Sequence, residues 1–206
     1  MRATTLHLVR VGLTAAMISS TANAAAGERS SAAGAGADRM RVGVTLLPMP
    51  VGVLQSGGAA AETSVGSVFA LAVMASFDLV TYPNAFVGFA PSYAFHIKAR
   101  GADVAPRQEL DLLLRLGYTA PVGRRLHAYG YLAPGYSFIY GIRAAGGVQG
   151  LVIGVHGGAR LDLTPSLFLG AELGYQAGFQ RDLYSLMESN ERASFVQVGV
   201  GVGVRI

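Results

Sequence analysis

Nine polar side chains in the second half of the chain carry most of its chemistry: Glu109, Asp111, Arg115, His156, Arg160, Asp162, Glu172, Gln197 and Arg205. Even intervals separate Glu109, Asp111 and Arg115, and likewise His156, Arg160 and Asp162, and Gln197 and Arg205. On an extended chain successive side chains point to opposite faces, so each set shares one face. Enclosed carboxylates and guanidiniums on neighbouring strands should pair, because an unpaired buried charge costs several kcal/mol. Such a set can plug an interior or line a path for ions. Where the interior is only as wide as its side chains, the plug is the expected use.

Other chemistries lack their residues. There are no cysteines, so neither a disulfide framework nor a thiolate metal site is expected. Past residue 24 the histidines stand in "HIK" (His96), "HAY" (His127) and "HGG" (His156), and no two have the spacing of zinc ligands. Acidic residues in the loops are too sparse for a calcium cage. "GGVQG" at 146–150 and "GVGVG" at 199–203 precede no expected helix, which argues against a phosphate-binding loop. No catalytic residue, metal or cofactor is expected. The formal net charge is +4 and the basic residues are scattered, which is no footprint for nucleic acid.

The elements that must hold the polar set are legible in the same alternation. The final segment, "SFVQVGVGVGVRI", places Val196, Val198, Val200, Val202, Val204 and Ile206 on one face. Phe195, Gln197, Gly199, Gly201, Gly203 and Arg205 fall on the other. The same beat runs through "RMRVGVTLL", "SVFALAVMASFD", a segment from Ala85, "ELDLLLRLGY", "LHAYGYLAPGYSFIY", "LVIGVHGGARLDL" and "LFLGAELGYQAGF". Together these make eight expected strands. The breaks "TYPN", "APVGRR" and "TPS" are tight and carry turn residues. Residues 48–66, 97–106, 141–148 and 180–191 read as longer loops. Short links at one end and long loops at the other describe an up-and-down outer-membrane barrel.

Which face looks outward follows from cost. Nearly every strand charge lies on the small-residue face, and a basic side chain facing lipid at the midplane would cost about 2–4 kcal/mol. A soluble version would show water apolar walls far larger than the few hundred Å² a monomer tolerates. The valine face is therefore expected to meet lipid. Tyr93, Phe95, Tyr136, Phe138, Tyr175 and Phe179 should form a girdle near the long loops, with Phe77, Tyr82, Phe86 and Tyr118 near the short turns. Bulk composition agrees: 14% charged residues against about 25% in soluble domains, and no apolar run long enough for a helical span. "MRATTLHLVRVGLTAAMISSTANA", residues 1–24, reads as a cleaved signal peptide, and residues 25–38 as a flexible lead-in to a barrel over 39–206.

In strand count, loop alternation and C-terminal strand, residues 39–206 resemble the small outer-membrane barrels of the OmpA/OmpX type. The resemblance implies an all-β, eight-stranded antiparallel transmembrane barrel in the cell outer membrane. Its implied role is structural or surface-interacting, through long extracellular loops. Implied partners are outer-membrane lipid and lipopolysaccharide, the barrel assembly machinery, and an extracellular or envelope protein. A narrow pore and a lipid A-modifying enzyme are the alternatives. In that family the last strand normally ends in an aromatic residue read by the assembly machinery, whereas "GVGVGVRI" ends in Ile206. Lipid A deacylases of this barrel class place a His two residues before a nucleophilic Ser, and none of the three histidines has that neighbour.

Overall fold

Hydrocarbon gives backbone amides no water to bond, so strands that cross it must satisfy one another and leave no edge. The computed structural model describes residues 40–58, 61–67, 69–82, 84–97, 107–141, 147–182 and 190–206. It forms a closed antiparallel sheet without helices among those residues. The segments are β1 (Met40–Met49), β2 (Val51–Gly58), β3 (Ala61–Ser67), β4 (Phe69–Tyr82), β5 (Ala85–Ile97), β6 (Arg107–Pro121), β7 (Leu126–Gly141), β8 (Gly147–Asp162), β9 (Leu167–Asp182) and β10 (Asn190–Arg205). From β4 to β10 each pairs with the next, and β1 closes the ring between β4 and β10. β2 prolongs β1 along the other half of β10, from Val51 opposite Val196 to Gly57 opposite Asn190, and β3 pairs back on β2. With β1 and β2 as one stave and β3 and β4 as another, the barrel has eight.

Ladder partners give the tilt. Thr45 faces Met74, and the row continues through Ser92, Asp111, Ser137, Gly150, Gln180 and Glu191 to Ser56. It leaves the first stave at position 45 and re-enters it at position 56. At ~3.3 Å per residue that climb is about 36 Å over a circumference of about 38 Å, a tilt near 43°. A 16-residue strand such as β8 then rises about 39 Å, well beyond the ~25 Å apolar band of such barrels. This explains the main departure from the sequence reading. The expected loop at 48–66 is largely strand, occupied by the end of β1 with β2 and β3; β9 runs on to Asp182 and β8 begins at Gly147. Alternation ends where lipid ends, but the hydrogen-bond ladder continues. Residues 98–106, 142–146 and 183–189, the expected signal peptide 1–24 and the segment 25–38 lie outside the described residues.

The tight turns fall where expected. Asn84 adopts φ 73°, a left-handed conformation that asparagine tolerates better than most side chains. Its carbonyl accepts the Thr119 N–H at 2.7 Å and its amide donates to the Tyr118 hydroxyl at 3.3 Å. In the turn after β8, the Thr164 hydroxyl accepts the N–H groups of Ser166 and Leu167.

The two faces divide as the alternation requires. Val198, Val200, Val202, Val204 and Ile206 are exposed on the outside, with Val200 at 65%, while Val196 is half-buried. The fifth segment, whose faces both carry tyrosine, resolves with Tyr131 buried and Tyr140 exposed. Phe86 is a correction: it points inward at 4% exposure instead of joining a girdle, and its ring lies 5.5 Å from the Arg115 guanidinium carbon. Phe77, Tyr93, Phe95, Tyr118, Tyr175 and Phe179 are exposed. Replacing outward Val200 with Arg should lower the stability of the vesicle-inserted barrel by about 2–4 kcal/mol, whereas Val200→Leu should leave it within ~0.5 kcal/mol. Urea titration of both variants against the parent protein measures the difference.

Candidate functional site in the barrel lumen

The inward residues form tiers. Nearest the long-loop end, the Glu109 carboxylate takes His96 Nε2 at 2.7 Å on one oxygen and the Ser137 hydroxyl at 2.7 Å on the other. Next to it Asp111 accepts Gln176 Nε2 at 2.8 Å, and Gln176 Oε1 accepts Gln197 Nε2 at 2.9 Å. Met49 and Phe195 are buried within this tier, with Met49 Sδ 3.9 Å from Gln197 Nε2 and the Phe195 ring 5.2 Å from that of His96, while Leu47, Met74 and Leu113 form a buried apolar layer next to it. On the short-turn side of that layer, one Arg115 nitrogen donates to both Asp78 oxygens at 2.9 and 2.7 Å. The Arg115 guanidinium also stacks 4.1 Å over the Tyr131 ring. The hydroxyls of Tyr129 and Tyr131 each donate to Glu172 at 3.0 Å, one to each oxygen. At the turns, Asp162 receives Arg205, His127 at 2.9 Å and Arg160 at 3.5 Å.

All nine residues singled out from the sequence lie on this inner face, and Glu109, Asp111, Arg115, His156, Arg160, Glu172 and Gln197 are buried. They divide among separate groups: Glu109 and Asp111 lie apart from Arg115, whose carboxylate is Asp78. Partners missed in the sequence are Asp78, His96, Ser137, Gln176, Tyr129 and Tyr131. Asp78 had a signal, being a charge on the small-residue face of its segment. The others are neutral or sit at segment ends, and only the ladder register brings them to their carboxylates.

His156 shows how the wall accommodates bulk. Its ring lies flat on Tyr131 with centroids 4.6 Å apart. Its ladder partner is Gly174, where a Cβ would sit 2.2 Å from His156 Nδ1. The same relation recurs at Gly88 opposite Asp78, Gly117 opposite Phe86, and Gly203 opposite Phe168. Each glycine is the space into which its cross-strand partner folds, so most of the inward glycines named here line no open pocket. Both ring nitrogens of His156 lack a hydrogen bond, and its nearest ionic neighbour is Glu172 at 3.8 Å.

The combination Ser137, Glu109 and His96 calls for comparison with a hydrolytic triad. In a triad the histidine receives the serine proton and the carboxylate holds the far side of the imidazole. Here the carboxylate stands in the middle, accepting the serine hydroxyl on one oxygen and meeting His96 on the other, which is not the order of a triad. Among the described residues no cluster of three potential metal ligands occurs.

A closed, eight-stave antiparallel barrel is the fold of the small outer-membrane barrels. Neisserial surface protein A shares this fold, with a TM-score of 0.54 at 15% identity over 83% of this chain and 99% of that one. The outer membrane protein OprG from Pseudomonas aeruginosa does likewise, with a TM-score of 0.56 at 12% identity over 82% of this chain and 96% of that one. No family model matches the chain, and no curated protein matches it in sequence.

Arg115→Met should cost about 3–5 kcal/mol because Asp78 is left charged and enclosed, and a second change, Asp78→Leu, should restore much of the loss. Gly174→Ala should destabilise by about 1–3 kcal/mol by forcing the His156 ring off Tyr131. Urea midpoints of the folded band on cold denaturing gels report both.

Proposed function

We propose that this chain is an integral barrel of the outer membrane, exported through a cleaved signal peptide, that acts as a non-conducting structural and surface-interaction protein. The observation that carries this reading is the buried apolar layer of Leu47, Met74 and Leu113, with Leu113 standing on β6 between Asp111 of one charged tier and Arg115 of the other. Ions crossing such a layer would have to shed water without replacement ligands. With transport through the centre disfavoured, recognition falls to the long-loop end and to the lipid-facing wall. Its surroundings there are lipid and lipopolysaccharide, its partner an extracellular or envelope protein, and its insertion the work of the barrel assembly machinery. The Ser137–Glu109–His96 order and the absence of a His-x-Ser sequence favour a non-enzymatic role over lipid A modification.

Reconstitution into planar bilayers tests the reading. The expected result is a silent membrane at up to about 100 mV, a bias worth ~2.3 kcal/mol per elementary charge moved fully across. Steady, reproducible single-channel steps from the refolded protein would overturn it in favour of the narrow pore. An altered lipid A mass on expression would instead establish the enzyme.

A further inference from the structure

The short turns are unequal in charge. The link between β6 and β7 runs "PVGRRL" over residues 121–126, all of them exposed. Among the described residues neither the Arg124 nor the Arg125 side chain has a hydrogen bond or an ion pair. The backbone beneath them is pinned. Val122 and Gly123 donate to the Leu126 carbonyl at 2.9 and 3.0 Å, and the Asp162 N–H donates to the Arg125 carbonyl at 2.8 Å. No acid stands in the turn itself, and the Asp162 carboxylate is already taken by Arg205, His127 and Arg160. Asn84 and residues 163–166, in the other described turns at this end, carry no charge. The apolar outer wall reaches the arginine pair without a gap. Leu126 follows Arg125 directly, is exposed, and stands opposite exposed Leu161 on β8. Val122, just before the pair, is 65% exposed.

We propose that Arg124 and Arg125 hold the phosphate of an anionic phospholipid, such as phosphatidylglycerol, whose acyl chains lie on the outer wall of β7 and β8. The site rests on the reading that this barrel spans the outer membrane. An arginine at the edge of hydrocarbon lays its stem on apolar surface and keeps its head at the interface, the level of the lipid phosphates. A guanidinium binds a phosphate through two parallel N–H donors. Two adjacent cations with no acid of their own favour a headgroup that brings no cation, so choline and ethanolamine lipids are selected against. Free phosphate would gain only exposed ion contacts, which salt screens. A lipid held by its chains presents its phosphate at high effective concentration. Those chains meet Leu126 and Leu161 first, then Leu132 and Val155, which are exposed opposite one another further along the same two strands.

The test is native mass spectrometry of the protein in neutral detergent with equimolar phosphatidylglycerol and phosphatidylcholine of identical acyl chains. The expected result is a first lipid adduct that favours phosphatidylglycerol by roughly tenfold or more. Each basic side chain beside an anionic headgroup is worth about fivefold. Arg124→Gln and Arg125→Gln should therefore each lower the preference by roughly that factor, and the double variant should abolish it. Both positions are exposed and make no side-chain contact that folding needs, and heat-modifiable gel migration checks that each variant is folded. No preference in the parent protein, or a preference unchanged in the folded double variant, would overturn the site. Equal displacement of the adduct by soluble glycerophosphate would overturn the lipid as its occupant in favour of free phosphate. Failure of the underlying reading looks different: the protein would then not insert into vesicles of either lipid.

Discussion

A bilayer core supplies no hydrogen bonds to an open backbone, and the rest of this structure depends on that constraint. Closure of β1 onto β10 satisfies the wall, but closure also fixes the tilt, the radius and therefore the width of the interior. At eight strands the bore is narrow enough for side chains from facing walls to meet. The polar residues inside are thus held at distances where they must either pair or be excluded. The pairing of Asp78 with Arg115 and of Glu172 with two tyrosines follows from the geometry of the wall as much as from the chemistry of the groups.

The narrow bore sets a packing problem that the glycines solve. Large inward side chains such as His156, Phe86 and Phe168 cannot all point to the axis at once, and instead they lie along the wall over a cross-strand glycine. The glycine-rich face of β10, opposite Val198, Val200, Val202 and Val204, is therefore the counterpart of bulk contributed by β1 and β9. Thr45, Leu47, Glu172 and Phe168 occupy the space beside Gly199, Gly201 and Gly203.

Charge is segregated along the axis in a way that bears on function. A carboxylate-rich tier with amide and hydroxyl partners sits toward the loops, an arginine-rich tier sits toward the turns, and the apolar layer separates them. That order is the basis of the proposal that the lumen does not conduct.

Period-two alternation over most segments determined the class of fold, the number of staves and which face looks outward, since lipid selects against a single misplaced charge on the outer wall. It also placed the nine polar residues inside. Strand length was not legible, because the ladder continues past the bilayer where no apolar pattern marks it, as in β2 and β3. Phe86 shares the inward parity of Gly88, Ala90 and Ser92, so its position was legible in the alternation although a girdle is the commoner place for such a ring. Partnership was the deeper gap: that Arg115 meets Asp78, that Ser137 meets Glu109, and that Gly174 makes room for His156 are facts of register between staves. Only closure and tilt decide register, because they set which residue of one strand stands opposite which residue of the next.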